Sequence, residues 1–161
     1  MNVFHLVIPN KSLTDIDLKR YAEELGIPHF RGVFMCDELS DKMHKKECGI
    51  VNFNTSLQPG SHWVCYYKDG QHQRIYFDSF GQIVPLEVQK YLKTKSEFAN
   101  NAAVIQRNTD IVQAVNTRVC GHLCLFVLKS LSNGEDFQHV LLQLLKDNHL
   151  KTSSPKEKTD V

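Results

Sequence analysis

The period of the hydrophobic positions changes several times along this chain. From Ser12 to Leu25 they recur at helical spacing, with Leu18, Tyr21, Ala22 and Leu25 on one stripe. Thr14 and Asp17 match a capping box with Asp in place of Glu, and Gly26 and Pro28 stop the helix. Before it, residues 3–8 are apolar and β-branched enough for a short strand or a segment docked on the core. Phe30 to Leu39 is ambiguous by period and reads as a strand leaving into a polar loop at Ser40–Glu47; Cys48–Phe53 reads as the next strand. His62–Tyr67 and Arg74–Phe80 flank the turn signal Asp69-Gly70 and predict a hairpin. Pro85 suits a first helical turn, opening a helix to about Tyr91, and Ala102–Gln106 predicts another strand.

From about Thr117 to Leu131 the period is helical, and the second half is apolar almost all round: Leu123, Leu125, Phe126, Val127, Leu128, Leu131. Such a helix is central and buried. Asn133-Gly134 ends it, and residues 135–147 form an amphipathic closing helix on Phe137, Val140, Leu141, Leu144 and Leu145. The order of elements predicts an α+β domain over residues 1–148, a central mixed sheet packed by helices, followed by a polar, flexible tail at 149–161.

Composition narrows the classes of function. A length of 161 residues suits one domain with a real core, and 42% hydrophobic with 23% charged residues is ordinary for a globular protein. The formal charge of +1 does not indicate a globally basic nucleic-acid binder. No apolar run approaches the roughly 20 residues that span a bilayer, and the apolar start, Met1–Pro9, lacks the basic region of a signal peptide. Five cysteines without paired spacing suggest an intracellular, reducing compartment in which thiols stay free.

The chemistry gathers on four residues. Cys120 stands where the apolar helix begins, and the positive end of a helix lowers a thiol's pKa. Gly121 beside it would let a substrate backbone approach. Gln113, seven residues earlier, lies in a polar loop from which its amide could reach a carbonyl oxygen under attack. His62 begins one strand of the hairpin as a candidate base, and Asp78, near the end of the partner strand, could fix its tautomer. Taken singly, each residue has a plainer reading: a core thiol, a strand histidine, a turn carboxylate, a loop amide. Cys124, four positions along the same helix, is expected in the core. A zinc site built from Cys36, Cys48, Cys120, Cys124, His62 and His122 is not expected, because Cys120-x₃-Cys124 has no matching second pair.

In chain order, Gly60-Ser61-His62-Trp63, Phe77-Asp78-Ser79-Phe80-Gly81 and the Gln113 that precedes Cys120-Gly121-His122-Leu123-Cys124 resemble the adenovirus-type endopeptidases, and more distantly the SUMO-specific proteases of the same clan. The resemblance runs over roughly residues 13–145, because Leu18–Gly26, Phe30–Phe34 and Cys48–Asn52 also look like that family's first helix, following loop and next strand. It implies a cysteine endopeptidase: His62 as general base, Asp78 as its partner, Cys120 as nucleophile, Gln113 and the Cys120 N–H as the oxyanion hole. It also implies cleavage after small, glycine-containing sequences and protein substrates such as viral or transposon precursor polyproteins, capsid and core proteins. If viral, the protein is expected in the host nucleus and the virion.

Departures limit the likeness. Asp78 replaces the Glu more usual in the viral enzymes, although the seven-residue Gln-to-Cys gap favours the viral branch. The cysteine through which those enzymes bond an activating peptide falls at about Ala102, and a DNA activator finds no support in the net charge. No metal or organic cofactor and no membrane partner is expected. Two other functions stay open at this point: a deconjugase of ubiquitin-like modifiers, and a non-enzymatic interaction module with a degenerate site.

Overall fold

In the computed structural model the described residues are 2–39, 42–52, 62–70, 73–113 and 117–147. Phe53, Gly60, Ser61 and the tail at 149–161 lie outside them. The chain opens with a two-stranded antiparallel pair, β1 (Asn2–Val3) and β2 (Leu6–Val7), followed by helix α1 (Asp15–Glu24). Then come β3 (Phe30–Met35), β4 (Lys46–Asn52), β5 (Trp63–Asp69) and β6 (Gln73–Phe77). Helices α2 (Leu86–Leu92) and α3 (Lys95–Ala99) precede β7 (Gln106–Arg107), α4 (Cys120–Ser132) and a closing helix α5 over 137–147.

Strands β3 to β7 form one sheet of five in sequence order, parallel at both edges and antiparallel in the middle. The expected α+β class with a mixed sheet packed by helices is therefore what the chain adopts. The alternation of side chains along β5 serves two cores. Cys65 points with Ile75 and Phe77 into the larger one, against Leu125, Leu128 and Cys124 of α4. Val64 and Tyr66 point the other way with Tyr76, against Val88 and Leu92 of α2. A strand covered on both faces needs apolar residues at successive positions, which Trp63-Val64-Cys65-Tyr66 supply.

Helix α1 starts where its capping box places it: Asp17 N–H donates to Thr14 Oγ1 at 3.1 Å and Thr14 N–H to Asp17 Oδ2 at 3.0 Å. Its stripe of Leu18, Tyr21 and Ala22 is buried. The single strand suggested at residues 3–8 is instead split by a turn, with Phe4 and His5 at φ 47° and 74°; Phe4 stacks on Phe126 at a ring separation of 5.8 Å. Helix α4 begins at Cys120 rather than Thr117. Helix α3, carried by a Thr94–Glu97 capping box, was not anticipated; it moves the following strand from residues 102–106 to Gln106–Arg107, where Ile75 pairs with Gln106. Strand β4 also begins earlier than Cys48, and Glu47 is not a loop residue: it is buried, its carboxylate accepting from Tyr66 and Tyr91 hydroxyls at 2.6 and 2.7 Å and from His44 N–H at 2.7 Å.

Candidate active site

The β5–β6 register places two polar residues at one end of the hairpin. Cys65 pairs with Phe77, His62 lies just before β5, and Asp78 just after β6. His62 Nε2 donates to Asp78 Oδ1 at 2.6 Å. The Asp78 side chain is fully buried, and the same oxygen accepts Phe80 N–H at 2.9 Å. The Asp78 main chain is held by Asn108: its Nδ2 donates to Asp78 O at 2.6 Å, its Oδ1 accepts Asp78 N–H at 3.1 Å, and Nδ2 also reaches Asp110 O at 3.2 Å. A side-chain amide thus continues the sheet's pairing where the strand has stopped. The imidazole of His62 lies 4.9 Å, centroid to centroid, from the ring of Phe80.

Cys120 is the first residue of α4, which packs on β5 and so brings the thiol to the end where His62 leaves the strand. The helix has no side-chain cap, and its positive end favours an anion at this position. Burial opposes ionisation of Cys120, but hydrogen bonding from His62 and from the Trp63 and Gly121 N–H groups outweighs it and holds the thiol below its ordinary range. Burial likewise pulls His62 down, and the bonds to Asp78 and then to Cys120 overcome that and raise it to about 9. With Nε2 committed to Asp78, Nδ1 is the nitrogen left to face the thiol. The pair is therefore set up as thiolate and imidazolium, each charge stabilising the other.

Gln113 is buried in the loop that approaches α4. Its Nε2 donates to Thr117 O at 3.0 Å, and its Oε1 accepts the Ser79 hydroxyl at 2.5 Å. The Ser79 carbonyl in turn accepts Val112 N–H at 2.8 Å, tying the turn after β6 to the loop before α4. Gly81 permits this contact: at φ 66°, a Cβ there would stand 2.5 Å from Thr109 O.

The structure thus brings His62, Asp78 and Cys120 into one cluster, and bonds Gln113 to Ser79, the neighbour of Asp78. Cys124 is separate: fully buried, donating to Trp63 O at 3.4 Å, its thiol pushed up by burial. Gly121 requires a correction. A Cβ there would meet Leu18 Cδ2 at 3.0 Å, Trp63 Cδ1 at 3.4 Å and Leu13 Cβ at 3.5 Å, so the glycine lets α4 pack closely on the core and does not open a path for substrate. His122 is a core residue whose Nε2 donates to Pro9 O at 2.8 Å. Among the described residues no three metal-ligating side chains stand together, and no helix is long and apolar enough to cross a membrane. Sequence reasoning missed Asn108 and Ser79. The only signal for Ser79 was its place next to Asp78, and for Asn108 there was none.

A model of the adenovirus endoprotease family matches residues 30–156. A protease of bovine adenovirus 2 is 28% identical over 131 residues, 74% of this chain and 63% of that protein. A protein of Acanthamoeba polyphaga mimivirus named as a thiol protease is 26% identical over 110 residues, 65% of this chain and 36% of its own length. The chain thus spans less than two thirds of the length of these curated relatives. In fold it is similar to the crystal structure of the ASFV protease, with a TM-score of 0.55 and 18% identity, over 82% of this chain and 62% of that one.

Proposed function

The chain belongs to the adenovirus endoprotease family, and on that premise we propose that it is a cysteine endopeptidase with Cys120 as nucleophile. The observation that carries the reading is a single imidazole, His62, set between the buried Asp78 carboxylate and the Cys120 thiol. Protonated His62 stabilises the thiolate, which attacks the scissile carbonyl carbon. The resulting oxyanion is received by the Cys120 N–H at the start of α4 and by the second N–H of Gln113 Nε2, whose first is spent on Thr117 O. His62 then passes its proton to the leaving amine, giving a thioester, and takes a proton from the water that hydrolyses it. Asp78 keeps Nε2 protonated and the ring aimed throughout.

The substrates on this reading are proteins cut after small, glycine-containing sequences, the structural precursors of a virus or virus-like element. The viral origin of the two relatives supports this choice. The work takes place within the host cell, in the nucleus and the assembling particle. No activating peptide or DNA enters the reading. Incubation of the purified protein with a panel of glycine-containing peptides tests it: cleavage is expected, and Cys120→Ala abolishes it. Cleavage that survives in Cys120→Ala overturns the assignment.

A further inference from the structure

We infer that Ser79 is a positioning residue for the oxyanion donor: its buried hydroxyl fixes which end of the Gln113 amide faces the reacting carbonyl. The inference rests on the reaction proposed above and adds to it a residue that neither the sequence nor the family likeness singled out.

A glutamine amide has two ends of nearly equal size and opposite polarity, and an oxyanion is stabilised only by the N–H end. Two partners hold the Gln113 amide. The Thr117 carbonyl, 3.0 Å from Nε2, can only accept, so it demands the nitrogen. Ser79 Oγ, 2.5 Å from Oε1, then has to donate. The serine is fully buried and Gln113 is its hydroxyl's partner, so the hydroxyl proton is committed to this bond. With Oε1 and one N–H occupied, the second N–H of Nε2 is what the amide has left to offer a ligand.

The placement of Ser79 is itself rigid. Its carbonyl accepts Val112 N–H at 2.8 Å, so a main-chain bond and a side-chain bond join the same two segments in parallel. Its neighbour Asp78 is clamped by Asn108 and holds His62. The dipeptide Asp78-Ser79 therefore sets both halves of the site, the carboxylate orienting the base and the hydroxyl orienting the oxyanion donor. Removing the hydroxyl leaves Oε1 buried without its donor and frees the amide to tilt or turn. Catalysis is sensitive to misplacement of about 1 Å.

The test compares Ser79→Ala, Gln113→Ala and the double variant with the parent protein on a glycine-containing peptide that the parent cleaves. Gln113→Ala is expected to lower kcat by about 10²–10³-fold. Ser79→Ala is expected to lower kcat by about 10-fold or more with KM unchanged, and the double variant to be no slower than Gln113→Ala alone. Alkylation of Cys120 by iodoacetamide needs the thiolate and no oxyanion hole, so its rate and pH profile should match the parent in Ser79→Ala. The shape-matched pair Ser79→Thr and Ser79→Val separates the hydroxyl from packing: Thr should be faster in kcat by about 10-fold. Should Ser79→Ala fail to fold, that pair decides the question. Loss in Gln113→Ala without loss in Ser79→Ala, multiplicative losses in the double variant, equal Thr and Val variants, or a displaced alkylation profile each overturn the inference. An unaffected Gln113→Ala removes the oxyanion reading itself, a result distinct from the others.

Discussion

Replacing Asp78 with Asn should narrow the pH range of activity from both sides. Asp78 Oδ1 accepts both His62 Nε2 and Phe80 N–H, whereas Oδ2 has no partner among the described residues. An amide oxygen can take the first position and keep the bond to the ring while the charge is lost. The NH₂ group at the second is buried without an acceptor, which costs about 1–3 kcal/mol of stability. The magnitude follows from His62. Burial favours the neutral ring, yet the partners raise it from 6.5 to about 9, a net preference of about 3 kcal/mol for the charged form. The Asp78 hydrogen bond is the largest favourable contribution, ahead of Cys120. Its loss should lower the imidazolium pKa by about 1–2 pH units.

A raised His62 stays protonated, and able to protonate the leaving amine, until the pH passes about 9; activity therefore declines through that value. A lowered Cys120 keeps its thiolate to pH values below the ordinary range, so activity rises through a lower pH than for a free thiol. In Asp78→Asn the alkaline limb moves down and the acid limb moves up toward about 8.5, because a weaker imidazolium supports the thiolate less. The assay is kcat/KM against pH for peptide cleavage, with iodoacetamide alkylation of Cys120 followed by intact mass over the same range. Limbs that stay in place refute the Cys120–His62 ion pair.

Other substitutions probe the surrounding scaffold. Gly81→Ala forces a side chain to 2.5 Å from Thr109 O at a positive φ; a loss of about 2–4 kcal/mol in denaturant unfolding is expected, with kcat falling because the displaced loop leads to Gln113. Gly121→Ala presses on Leu18 and Trp63, costing about 1–3 kcal/mol by the same measurement. Cys124→Ala should leave peptide cleavage intact, since that thiol serves the core. Burial holds His122 below its ordinary value, so unfolded chains take up its proton first and stability should decline as pH drops below about 6.5. His122→Gln should flatten that decline in unfolding midpoints measured from pH 7.5 to 5.

What could be read from the residues alone was whatever a local pattern governs. The Thr14–Asp17 box, the apolar stripe of α1 and the almost uniformly apolar second half of α4 each depend on neighbours within a few positions, and each is where it was expected. The hairpin that joins His62 to Asp78 was legible for the same reason, because both strands lie close in sequence to the Asp69-Gly70 signal; its register was not, since Asp69 is a strand residue paired with Gln73. Contacts between distant segments were not. Glu47 reads as polar loop because its partners Tyr66 and Tyr91 lie 19 and 44 residues away. Asn108 mimics a strand toward Asp78 across 30 residues, and the purpose of Gly121 depends on Leu13, Leu18 and Trp63, all from other elements. The split of residues 3–8 turns on two left-handed residues, Phe4 and His5; histidine tolerates that region better than most side chains, but phenylalanine gives no sign of it.

The central claim, that Cys120 is a nucleophile activated by His62, is tested most directly by an electrophilic glycine-ended peptide probe. Intact-mass analysis of the wild-type chain should show one adduct at neutral pH, mapped by peptide fragmentation to Cys120 rather than to Cys36, Cys48, Cys65 or Cys124, and His62→Ala should slow its formation by about 100-fold or more. Labelling that falls on another cysteine, or that proceeds at the same rate in His62→Ala, contradicts it.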